Sequence, residues 1–144
     1  MKSHLLITVV IGALFLLNSC NTAPKKIDYG NDGCHYCKMT IVDQIYGAEL
    51  ITSKGKTYKF DALECLINFT KDNSAIQNSN LYTNYYEAPT EFISVEEATF
   101  LISKNLPSPM GANLTAFKNK SNASAIQQEK DGKLYNWAEL IKVF

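Results

Sequence analysis

Over most of this chain apolar and polar side chains exchange places along short stretches broken by Gly, Pro, Asn or Asp, the pattern of antiparallel strands rather than of long helices. Met39 to Val42 is a β-branched run, followed by a turn over 43–47. Ala48 to Thr52 and Thr57 to Phe60 are two further strands, separated by the turn Ser53-Lys54-Gly55-Lys56. These three strands predict a meander. From Ala62 to Lys71 the period lengthens, because Leu63, Leu66, Ile67 and Phe69 lie mostly on one helical face, with Asp61 placed to cap the start and Asp72-Asn73-Ser74 ending it. Leu81 to Ala88 is aromatic-rich and strand-like, closing a β-β-β-α-β unit, and Pro89 is expected to stop it.

The second half repeats the order loosely. A turn over 94–97 leads to a strand from Ala98 to Ser103, a Pro/Gly loop from Asn105 to Ala112 and a strand from Asn113 to Phe117. Ser121 to Lys130 is a polar helix ended by Asp131-Gly132. Lys133 to Tyr135 is a strand, and Asn136 is placed to cap a last helix from Trp137 to Val143. The predicted class is α+β: antiparallel strands with helices, as two small ββαβ-like modules in one compact domain covering 33–144.

The N-terminus stands apart. Lys2, an apolar run from Leu5 to Leu17 and a small or polar ending make residues 1–19 a signal peptide, and the run is too short for the about 20 helical residues that a bilayer core takes. Leu17-Asn18-Ser19-Cys20 resembles the bacterial lipobox, in which the cysteine becomes the acylated first residue, so the expected partner of Cys20 is a membrane lipid anchor. Polar residues 21–32, with Pro24 and Gly30, complete a stretch (20–32) expected to be a flexible tether.

Without the signal, about 125 residues remain, enough for one domain. The mature chain keeps 13 lysines against 14 acidic groups and has no arginine, which argues against nucleic acid as a partner. Setting Cys20 aside leaves Cys34, Cys37 and Cys65, an odd number of thiols for an oxidising compartment, so they must be paired, reactive or metal-bound.

The densest chemistry lies in CHYCKM, from Cys34 to Met39. Thiolate and thioether are soft donors that favour Cu(I) over hard cations. In a turn, Cys34 and Cys37 can converge on one point; if Cys37 begins a strand, Met39 shares its face. Met110, in the loop Ser108-Pro109-Met110-Gly111, is either a further thioether donor or a side chain tucked beneath its loop. Competing readings are a thiol-disulfide oxidoreductase using Cys34 and Cys37, a structural zinc site and a stapling disulfide. Lys38 after the second cysteine excludes covalent haem attachment. Cys65, inside the predicted helix, reads as a small buried hydrophobe in preference to a ligand, and His35 as a partly exposed polar residue. The tyrosines 82, 85, 86 and 135, with Trp137, read as core or rim of the sheet.

The lipobox cysteine, the polar tether, Cys34-x-x-Cys37-x-Met39, the strand with Leu81-Tyr82, and the Pro109-Met110-Gly111 loop running into Leu114-Thr115-Ala116-Phe117 together resemble the NosL family of nitrous-oxide reductase copper chaperones. The resemblance implies a lipoprotein of the bacterial envelope, anchored to the outer membrane and facing the periplasm. It implies no enzymatic activity, Cu(I) as cargo, and delivery through a transporter-type copper assembly complex to the reductase. By position it makes Cys34, Cys37, Met39 and Met110 the soft ligands. Where the family tends to offer His or Asp after Leu81, this chain has Thr83-Asn84-Tyr85-Tyr86.

Overall fold

The computed structural model describes residues 23–73, 76 and 78–144, so the apolar run and Cys20 lie outside the described residues. The described chain builds β1 (Ala48–Ile51), β2 (Thr57–Phe60), α1 (Leu63–Asp72), β3 (Asn80–Tyr85), β4 (Ala88–Ser94), β5 (Thr99–Ile102), β6 (Leu114–Phe117), α2 (Lys120–Lys130), β7 (Lys133–Tyr135) and α3 (Trp137–Val143). One sheet has the order β2-β1-β3-β4 and the other β6-β5-β7, every pairing antiparallel. The α+β class and the second ββαβ module, β5-β6-α2-β7, are as expected; the first module carries one strand more.

That extra strand is β4. Pro89 lies inside it instead of ending its predecessor, and the chain reverses between Tyr85 and Ala88. Proline is compatible with this place because β4 is an edge strand, where a missing N–H breaks no inner ladder. A bulge between Asn84 and Tyr85 marks the same end of the hairpin.

The larger of two buried clusters among the described residues serves both sheets. Leu50, Phe60, Leu66, Phe100, Leu114 and Leu140 belong to a single buried cluster, and Tyr86 N–H donates to Ala116 O at 2.9 Å where the sheets adjoin. Burying a side chain as large as Phe60 or Phe100, both at 0 % exposure, contributes about 1.5–3 kcal/mol. Helix α3 starts as its sequence indicates: Asn136 accepts from Glu139 N–H while the Glu139 carboxylate accepts from Asn136 N–H, a reciprocal capping box. Helix α1 does not. Its N-cap is Ala62, without a side-chain cap bond, because Asp61 is buried and turned toward the amide of Val42 instead.

The tether ends earlier than expected. From Lys25 onward the chain is strapped to the first sheet: Lys25 N–H donates to Glu49 Oε2 at 2.7 Å, and Lys59 Nζ donates to Lys26 O at 2.9 Å and to Asp32 Oδ2 at 2.5 Å. Ile27 is buried in the core cluster, and the Tyr29 hydroxyl donates to Asn84 Oδ1 at 2.8 Å. Polar composition suggested a solvated linker, but the burial of Ile27 together with the bonds to Glu49, Lys59 and Asn84 docks the segment.

Candidate metal centre

CHYCKM forms a closed turn. Cys34 N–H donates to Met39 O at 2.8 Å and Lys38 N–H to Cys34 O at 3.1 Å, while Lys38 takes the left-handed φ of 68° that lets the chain reverse. Beyond the turn, Gly33 and Thr40 form an isolated bridge, and Ile41 exchanges bonds with Asp32 O and, through its own carbonyl, with Gly30 N–H. The expected strand over Met39 to Val42 is therefore only this bridge. With Lys38 reversing the chain, Cys37 and Met39 are not successive same-face residues of a strand, and Met39 is 54 % exposed.

The turn rests on α1, and there three sulfurs meet. The Sγ atoms of Cys34, Cys37 and Cys65 all lie within 4.8 Å of one another, and all three cysteines are free thiols. Cys65 sits in the first turn of α1, an element that the long stretch through β1 and β2 returns to the N-terminal motif. Reading Cys65 as a buried hydrophobe captures its 0 % exposure and misses its neighbours. Sequence spacing holds no signal for this, since α1 reaches the motif only through the packing of β1 and β2.

The three thiols are electrostatically distinct. The neighbouring Cys65 side chain, with the amides of Asp61, Cys37 and Tyr36, holds Cys34 far below the usual thiol range against the opposing effect of burial. Cys65, beside Cys34 and buried, is pushed up. Cys37 is pushed up by burial, with Cys34 adding to the shift. Beside them the buried carboxyl of Asp61, with Oδ1 lacking a hydrogen-bond partner, is raised by desolvation and by Cys34. The surroundings thus favour the thiolate at Cys34 and the protonated thiol at Cys37 and Cys65.

Met110 is 37 % exposed, in a loop fastened from three sides. Tyr46 Oη donates to Pro107 O at 3.0 Å, the Ser108 hydroxyl donates to Glu64 Oε1, and Leu114 N–H donates to Ser108 Oγ at 3.3 Å. Glu64 directly precedes Cys65, so the loop is tied to the helix turn that bears a thiol. His35 is exposed: Lys59 N–H donates to its Nδ1 at 3.0 Å, and its ring stands edge-on to Tyr58. Among the described residues, then, the thiols of Cys34 and Cys37 are brought together with that of Cys65, whereas Met39 and Met110 lie at the surface.

The sequence model of the NosL family matches residues 24–143. The chain belongs to the NosL family. A solved structure described as the copper chaperone NosL from Shewanella denitrificans superposes with a TM-score of 0.71 at 25% identity, covering 83% of this chain and 96% of that one. A comparison with curated proteins gave no match. The matched span begins at Pro24, consistent with the strap from Lys25 onward being part of the NosL domain.

Proposed function

We propose that this NosL-family chain is a Cu(I) carrier, anchored through acylated Cys20 to the outer membrane with its domain in the periplasm, which hands copper to a transporter-type assembly complex and so to nitrous-oxide reductase. The observation that carries the reading is the triangle of three thiol sulfurs within 4.8 Å, buried on the core side and half-open at Cys37. Family membership and the likeness to the copper chaperone of Shewanella denitrificans support copper as the cargo. Soft donors favour the monovalent ion.

The residues divide the work of holding and releasing. Cys34 and Cys65 supply sulfur from the protein interior, out of reach of solvent. Cys37 stands at the opening, and Met39 and Met110 are the exposed thioethers that complete coordination from outside. Transfer is ligand exchange: an incoming donor from the recipient adds to copper, Met110 leaves first as the weaker ligand, and a cysteine leaves last. No bond in a substrate is made or broken, so the protein is a carrier and not an enzyme.

The test is Cu(I) titration of anaerobically purified full-length protein against a chromogenic chelator. Met110→Ala weakens binding or delivery, while Cys37→Ala and Met39→Ala abolish it with the fold intact. Wild-type affinity in Cys37→Ala would show the site assignment to be wrong. Retention of zinc in preference to copper, or disulfide exchange activity without metal, would favour a structural-zinc domain or an oxidoreductase instead.

A further inference from the structure

Glu64 is a buried acid, 3 % exposed, in the first turn of a helix whose neighbouring positions are core residues. Desolvating a carboxyl is costly unless hydrogen bonds offset it, so the position calls for a reason beyond packing. Its neighbours supply one. The carboxylate accepts from the Ser108 hydroxyl, Ser108 Oγ in turn accepts from Leu114 N–H, and Gly111 N–H closes a turn onto Ser108 O at 3.0 Å. Ser108 is itself 7 % exposed, so this chain of bonds runs through the protein interior.

The two ends of the bond are placed tellingly. Glu64 is adjacent to Cys65, and Ser108 is two positions before Met110; consecutive Cα atoms are about 3.8 Å apart, so the bond couples the thiol-bearing turn to the thioether-bearing loop over a very short path. Pro109 between Ser108 and Met110 restricts the backbone, and Gly111 at φ 79° supplies the left-handed residue that closes the turn. Met110 thus rides on a rigid turn with one side-chain anchor on α1.

Resting on the reading of Met110 as a copper ligand, we propose that Glu64 and Ser108 are positioning residues that hold the Met110 loop in register with the thiol triad, so that the outermost ligand is presented preformed. Neither touches the metal. Ordering the loop in advance spares the binding step the entropy of fixing it, and partners one layer removed from a metal commonly set affinity by about 10–100-fold.

A double-mutant cycle in full-length protein decides the matter, with Cu(I) affinity read by chelator competition and folding read by thermal melting. Met110→Ala is expected to lower affinity about tenfold, Ser108→Ala by a similar factor, and the double variant no further. Losses that multiply in the double variant would place Ser108's effect elsewhere and overturn the proposal. So would parent affinity in Ser108→Ala beside a weakened Met110→Ala, which leaves Met110 a ligand and removes the latch. Parent affinity in Met110→Ala would overturn the ligand reading and this inference with it. Glu64→Gln keeps an oxygen to accept from Ser108 and is expected to retain parent affinity; a loss matching that of Ser108→Ala would mean that charge beside Cys65, not the tether, tunes the metal, and would also overturn the proposal.

Discussion

The Sγ atoms of Cys34 and Cys65 lie within 4.8 Å of each other, joining the first turn of α1 to the tight turn that opens the domain. Their surroundings make the two buried sulfurs unequal: the Cys65 side chain and nearby amides hold Cys34 down, whereas Cys65 is pushed up. Cys65→Ser keeps a hydroxyl that can donate to Cys34 but removes a soft ligand. Chelator competition is expected to show Cu(I) affinity at least about tenfold lower with little change in melting temperature. An unchanged affinity would mean that copper binds without Cys65.

The pH dependence follows from the same inequality. Cys34 is held down by the Cys65 thiol and three amides, whereas Cys65 and Cys37 are pushed up. In the neutral range Cys34 therefore has no proton to lose on binding, and each of the others must lose one. Protons released on binding make affinity rise with pH. With all three thiols as ligands the Cu(I) affinity is expected to climb about a hundredfold per pH unit between pH 6 and 8, two protons per ion, measured with chelators of known protonation behaviour. A flat profile would contradict these shifts.

Thiol reactivity should separate charge from access. Cys34 is the favoured thiolate but is only 2 % exposed, and Cys65 is fully buried with its thiol pushed up; of the three, Cys37 alone is half-open. Brief alkylation of the reduced apo protein followed by peptide mapping is expected to mark Cys37 first, with Cu(I) suppressing the reaction. Cys34 labelling ahead of Cys37 would show that the triad opens to solvent.

The N-terminal strap is a stability element. Ile27 sits in the core cluster at 6 % exposure, and a Cβ on Gly47 would collide with Ile27 Cδ1 and Asn84 Oδ1. Ile27→Ala is expected to cost about 2–4 kcal/mol in chemical denaturation, and Gly47→Ala about 1–3 kcal/mol through overpacking. Wild-type midpoints would mean that the strap detaches freely.

A carboxyl in the core leaves its own trace in stability. Burial raises Glu64 above the ordinary carboxyl range despite the Ser108 bond. A raised acid contributes stability that is complete below the unfolded value and is lost as pH rises through the folded one. Glu64→Gln should therefore flatten the decline of stability on the basic side of the ordinary carboxyl range, followed by urea midpoints in a series of buffers.

The elements β1, β2, α1, α2 and α3 form where near-neighbour signals put them: turn residues separate β1 from β2, α1 carries a one-sided apolar face, Asp131-Gly132 follows α2, and Asn136 builds a capping box on α3. Where two rules competed, local reading went astray. Pro89 suggested a stop and instead lies in the edge strand, and β-branched Thr40, Ile41 and Val42 suggested a strand where Lys38 makes a reversal and Thr40 only a bridge. Asp61 carried the residue type of a helix cap but is buried beside Cys34, a position that no spacing encodes.

By itself the order of residues determined the class of fold and the density of soft donors at Cys34, Cys37 and Met39, because each of these depends on composition or near-neighbour spacing. Only the tertiary structure decided that Cys65 completes the triad, that residues from Lys25 onward belong to the domain, and that Glu64 reaches Ser108. Those contacts join segments far apart along the chain. They arise where two sheets and a helix pack on one core, and local periodicity carries no information about that meeting.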